Sequence, residues 1–171
     1  RGSYATTAEV LAKGVEAARA LADRAAASAD EGLALHELEL LAPVTHPCRI
    51  VAQGLNYRSH LDEIGIRGKP NLVLFRKASA SLCGPHDAVV RPPDVRLLDY
   101  EVELGLVIGA PTRGPVAVDL QGLHRLVAAL VVANDVSARD QQIADGQFYR
   151  SKSHRTFTPV GPFLFVPEPA E

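Results

Sequence analysis

The chain has 171 residues, a formal charge of −2 and 47 % apolar residues, a share inflated by alanine. That length fits one domain. The mixed charges form no basic stripe, which argues against a nucleic-acid partner, and no run reaches the roughly 18 unbroken apolar residues of a membrane helix.

Two cysteines, Cys48 and Cys83, are too few for a disulfide framework. RGSYATTAEV lacks the apolar core of a signal peptide. These features predict a soluble, cytoplasmic protein. The chain has no methionine at all, not even at position 1. It is expected to begin inside a longer protein.

TTAEVLAKGVEAARALADRAAASADEG predicts one helix over Thr7–Ser28. Thr6 and Glu9 fit a capping box. Val10, Val15, Ala18, Leu21, Ala22 and Ala25 approximate a helical stripe, and Gly32 reads as its stop. Glu37–Leu41, ELELL, is a short alternating piece. Residues 1–46 form an N-terminal helical segment and linker. From Pro47, short apolar runs alternate with Pro and Gly: CRIVAQG, NLVLFRK, DAVVRPP, DYEVELGLVIG, LVAALVVAND and PVGPFLFV. Their length and β-branched content predict strands. VAVDLQGLHRL reads as a short helix or turn, and SARDQQIADG as a loop or one helical turn. The fold class is α+β, mainly β, with residues 47–171 as one domain. LFVPEPAE follows a strand with no closing element, so the C-terminal part of that domain is expected to be absent.

In LLDYEVELGLVIG, strand alternation puts Glu101 and Glu103 on one face and Tyr100, Val102, Leu104 and Leu106 on the other. Same-face neighbours on a strand lie about 7 Å apart. Two carboxylates that close call for a cation where water is scarce. LVAALVVAND is an apolar run that ends on Asp135 and delivers a third carboxylate to a sheet rim. Alone, an E-x-E strand is more often solvated surface, and Asp135 a turn residue. Together, Glu101, Glu103 and Asp135 read as a site for a hard divalent ion: Mg²⁺, Mn²⁺ or Ca²⁺. Gly105, next on that face, leaves room beside the cation. Asp99 caps the entry to the strand or bonds to a neighbouring loop.

Four segments resemble the fumarylacetoacetate hydrolase family: GLNYRSHLDE, LDYEVELGLVIG, ANDVSARDQQ and SKSHRTFTPVGPFL. They occur in the family's order. The resemblance implies a mixed β-roll and a homodimer or a dimer of dimers. It implies Mg²⁺ or Mn²⁺ on Glu101, Glu103 and Asp135, the trio already reached from spacing. It implies a His–Glu pair on a lid, here His60 and Glu63, three apart as helix neighbours are. It implies substrate binding by Arg139 and Gln142, and by Lys152, which is also catalytic. Unaided, Arg139 reads as a surface ion pair with Asp140 or Asp145, His60 as a surface histidine and Lys152 as a solvated charge. Two departures stand out. His154 and Arg155 replace the family's Phe-Asp, and the closing P-G-D and G-T-P-x-G segments are missing. His36, His46, His86, His124 and His154 share no metal-ligand spacing. Cys48 and Cys83 read as small core residues.

The resemblance implies 2-oxo or 1,3-dicarbonyl acid substrates. The leading expectation is a metal-dependent hydrolase that cleaves a C–C bond in acylpyruvate-type substrates, with His60 and Glu63 activating water. The alternatives are a lyase or isomerase of the same family, or a non-catalytic metal-binding homologue.

Overall fold

A computed structural model of the chain describes residues 6–28, 32–44, 48–68, 71–119, 122–123 and 126–167. His46, His124 and parts of VAVDLQGLHRL and LFVPEPAE lie outside these residues. The expected N-terminal helix is two helices, α1 (Thr7–Leu11) and α2 (Val15–Ala26). Gly14 breaks them with φ +90° and ψ 171°, a conformation that costs glycine little and other residues much. The apolar spacing runs on across Gly14 and so conceals the break. Thr6 Oγ1 accepts the N–H of Glu9 at 3.2 Å, the expected cap. α2 ends at Ala26, so Gly32 is not its stop. ELELL forms no strand; a single 3-10 turn covers Leu35–Glu37.

The remaining described elements run β1 (Ile50–Gly54), α3 (Arg58–Glu63), β2 (Val73–Lys77), a 3-10 turn (Ser79–Ser81), β3 (Leu82–Cys83), β4 (Leu98–Asp99), β5 (Val102–Ile108), β6 (Val127–Asn134), β7 (Ser137–Ala138), α4 (Arg139–Asp145) and β8 (Thr158–Pro159). β1 pairs antiparallel with β2, β4 with β7, and β5 with β6, whereas β3 and β8 run parallel. The fold is thus α+β with mixed strand pairing. DAVVRPP forms no strand, since Pro92 and Pro93 have no N–H for a ladder and Val95 turns back to Pro92. PVGPFLFV contributes Pro159 to β8 and two isolated bridges, Ala133 with Val160 and Leu130 with Phe165.

Val95, Val136, Ala138 and Phe157 form a buried cluster beneath β7, with Val89 packed against it. Cys83 is buried and Cys48 half-buried. On β5 the faces are inverted from what the hydropathy suggests. Val102, Leu104, Leu106 and Ile108 are 53–70 % exposed, while Glu101, Glu103 and Gly105 are half-buried. The acids therefore face inward. Gly105 leaves no room for a cation: a Cβ there would stand 2.7 Å from Val131 Cγ1 on β6. Its missing side chain lets β6 approach. Among the described residues, no helix is long and apolar enough to cross a membrane.

Candidate active site

The β5–β6 register builds the site. Val102 faces Asn134, so the next pair outward is Glu101 and Asp135. The Asp135 N–H donates to the Glu101 carbonyl at 2.8 Å, and the Glu101 N–H donates to Asn134 Oδ1 at 3.2 Å. Both carboxylates therefore emerge from the same end of one ladder.

Three cations meet them there. Lys152 Nζ donates to Glu101 Oε2 at 2.6 Å and to Asp135 Oδ2 at 2.7 Å. Lys77 Nζ donates to Asp135 Oδ1, and to the Phe157 carbonyl at 2.8 Å. Arg139 Nη2 donates to Glu101 Oε1 at 2.5 Å. All four oxygens of Glu101 and Asp135 thus carry a cationic donor. None of the sequence motifs singles out Lys77. Its signal is strand parity: Val73, Phe75 and Lys77 alternate inward on β2. Burial pushes the Lys77 ammonium pKa down, and Asp135 opposes that shift.

Glu103, the third expected ligand, is held differently. The Tyr57 hydroxyl lies near enough to favour its ionised form. Burial raises its carboxyl pKa, Tyr57 opposes, and repulsion from Glu101 and Asp135 raises it further. Asp99 accepts from Arg139 Nε at 2.9 Å and from the Tyr100 N–H at 2.9 Å. Its carboxyl is held below the usual range, chiefly by Arg139. So Asp99 anchors Arg139, at the start of α4.

Arg139 and Gln142 come together, with Arg139 Nη1 donating to Gln142 Oε1 at 3.0 Å. Arg139 does not pair with Asp140 or Asp145. Asp140 caps the Arg96 and Leu97 N–H groups instead, and Asp145 pairs with Arg150. The turn carrying Lys152 is fixed by the Ala138 N–H bonding the Ser151 carbonyl at 2.8 Å, and by Phe148 packed edge-on to Phe75. His154 acts in packing. Its Nε2 meets Gln141 Oε1 at 2.7 Å, and Gln141 Nε2 donates to Asp94 at 3.0 Å.

His60 and Glu63 share α3, with Nδ1 3.8 Å from Oε2 and side chains 53 % and 75 % exposed. Among the described residues neither bonds to the carboxylates. Tyr57, immediately before α3, is the nearby residue whose hydroxyl bears on Glu103.

Residues 49–171 match the model of the fumarylacetoacetate (FAA) hydrolase C-terminal domain. The chain belongs to this family. It is 38 % identical over 160 residues to a mitochondrial oxaloacetate tautomerase of Rattus norvegicus, covering 93 % of this chain and 50 % of that protein. It also superimposes on the 5-carboxymethyl-2-hydroxymuconate delta-isomerase of Mycobacterium smegmatis with a TM-score of 0.68 and 34 % identity, covering 80 % of this chain and 53 % of that one. The fumarylacetoacetate hydrolase of Exiguobacterium antarcticum gives 0.72 and 32 %, covering 94 % and 55 %. The chain thus spans about half the length of the curated relatives it matches.

Enzymes of the family generally use divalent metals. Among the described residues no three His, Cys, Asp or Glu side chains converge on one ion as they stand. The donor chemistry nevertheless fits. Glu101, Glu103 and Asp135 offer only hard oxygen donors, and Glu101 and Asp135 already share one cation, Lys152 Nζ.

Proposed function

We propose that the protein containing this chain is a metal-dependent tautomerase or isomerase of small 2-oxo dicarboxylic acids. The observation that carries this reading is the buried carboxylate–ammonium cluster of Glu101, Asp135, Lys77 and Lys152. The relatives favour this over acylpyruvate hydrolysis, since those named include an oxaloacetate tautomerase and a delta-isomerase. Glu101, Glu103 and Asp135 are the proposed ligands of Mg²⁺ or Mn²⁺. When bound, that ion supplies Lewis acidity to the 2-oxo and carboxylate oxygens.

Charge balance supports an anionic substrate. Lys77, Lys152 and Arg139 face Asp99, Glu101, Glu103 and Asp135, three cations against four carboxylates. With all ionised, the cluster carries one net negative charge. A divalent ion reverses that sign by one, matching a substrate carboxylate.

In tautomerisation a C–H bond breaks beside the carbonyl and an O–H bond forms on its oxygen. Lys152 places an N–H where the oxygen gains charge. Arg139 and Gln142 orient a carboxylate. His60, backed by Glu63, takes the proton from carbon rather than from water. We include a homodimer in this reading, which sedimentation of the whole protein checks.

The test compares keto–enol exchange of oxaloacetate with cleavage of acetylpyruvate by the whole protein in Mg²⁺. Faster exchange of oxaloacetate is expected. Faster cleavage of acetylpyruvate reinstates the hydrolase, and turnover of neither substrate leaves a metal-binding homologue.

A further inference from the structure

We propose that Lys152 and the divalent ion exchange places on the Glu101–Asp135 pair, so that the ion's arrival lifts the ammonium off both carboxylates. The inference rests on the metal reading above. Lys152 Nζ bridges Glu101 Oε2 and Asp135 Oδ2 at 2.6 and 2.7 Å. An ion held by the same two carboxylates would compete with Lys152 for them, since two cations crowded onto one pair repel.

Each oxygen of the pair already holds a donor, so one donor must yield. Lys77 is tied to a further acceptor, the Phe157 carbonyl. Arg139 is tied to Asp99 and Gln142. For Lys152 Nζ the described residues offer no hydrogen-bond acceptor beyond the two carboxylates. It alone touches both of them. It also keeps a partner when it leaves: its Nζ already lies over the Phe75 ring, 5.2 Å from the centroid, and an aromatic face attracts an ammonium. Lys152 is then released as a proton donor only when the ion is in place.

The test uses Mn²⁺ alone, with free ion read by electron paramagnetic resonance, on the whole protein and its Lys152→Met variant. Close charge pairs couple strongly enough that removing the ammonium should tighten Mn²⁺ binding about tenfold or more. Equal or weaker binding by the variant overturns the exchange while leaving the metal site intact. No binding by either protein overturns both. A second measurement needs no variant: acetylation of lysines by acetic anhydride, read by mass spectrometry. Mn²⁺ should raise labelling of Lys152 several-fold and leave Lys77 protected. Unchanged or reduced labelling of Lys152 overturns the proposal.

Discussion

Lys77 and Asp135 form an ion pair whose side chains are 2 % and 9 % exposed. Breaking a buried pair from one side leaves a charge without compensation. That typically costs about 3–5 kcal/mol. Here Lys152 still faces Asp135, so Lys77→Met should cost no more than the lower end, about 3 kcal/mol. Adding Asp135→Asn to Lys77→Met should recover part of the loss. Urea denaturation of the single and double variants measures both. A double variant less stable than Lys77→Met shows that Asp135 is held mainly by Lys152.

Gly105 and Val131 are register partners on β5 and β6. A Cβ at 105 stands 2.7 Å from Val131 Cγ1 and 3.3 Å from its carbonyl oxygen. Overpacking of this kind costs about 1–3 kcal/mol, and that is the loss expected for Gly105→Ala. Val131→Ala removes the nearer clash, so the two substitutions should couple by about 1 kcal/mol. Thermal unfolding of the four-protein cycle reads the coupling, and strict additivity contradicts the close approach.

Much of this arrangement is legible in the sequence. Alternation puts Glu101 and Glu103 on one face, and the apolar run ending at Asn134–Asp135 delivers the third acid. What alternation cannot supply is which face is inside. Hydropathy favours Val102, Leu104 and Leu106, but the cations of Lys77, Lys152 and Arg139 reach the acidic side. The acids' partners are similarly hidden, because Lys77 meets Asp135 across 58 residues of chain. No local spacing encodes that distance. Gly14 escapes notice for the opposite reason: the apolar stripe around it is locally consistent, and the break is backbone geometry.

Asp140 clamps α4 to the chain before β4 by accepting the Arg96 N–H at 2.9 Å and the Leu97 N–H at 3.4 Å. The Arg96 bond is the chief cause that holds its carboxyl pKa below the usual value, and desolvation opposes it. A carboxyl with a depressed folded-state pKa stabilises the protein above its unfolded value, about 3.9. That stabilisation is lost as pH falls through the lower folded value. The stability gap between the parent and Asp140→Ala should therefore be full at pH 6 and shrink below about pH 4. A gap independent of pH, measured by denaturant titration at each pH, means that the charge contributes nothing.

The proposed ligands and their supports should separate in Mn²⁺ affinity. Removing a residue that only orients a ligand typically costs about 10–100-fold. Asp99→Asn, which disturbs Arg139 behind Glu101, should fall within or below that range. Glu101→Gln and Asp135→Asn should exceed it and abolish metal-dependent turnover. Direct Mn²⁺ titration ranks the three. Full activity in both ligand variants removes the metal-site assignment.

Tyr57, just before α3, favours the ionised form of Glu103 through its hydroxyl, and Leu61 is the one buried residue of that six-residue helix. So little burial leaves the helix reliant on contacts at its start, the Tyr57 hydroxyl among them. A hydrogen bond from that hydroxyl to Glu103 would contribute about 1 kcal/mol, so Tyr57→Phe should speed amide exchange across residues 58–63 about fivefold. His60→Ala should leave that exchange and Mn²⁺ affinity nearly unchanged, yet remove turnover, because in the proposed mechanism the imidazole moves a proton and does not hold the ion. A loss of Mn²⁺ binding in His60→Ala makes His60 a ligand or a structural residue. Unchanged exchange in Tyr57→Phe means that packing of Leu61, not the phenol, positions the helix.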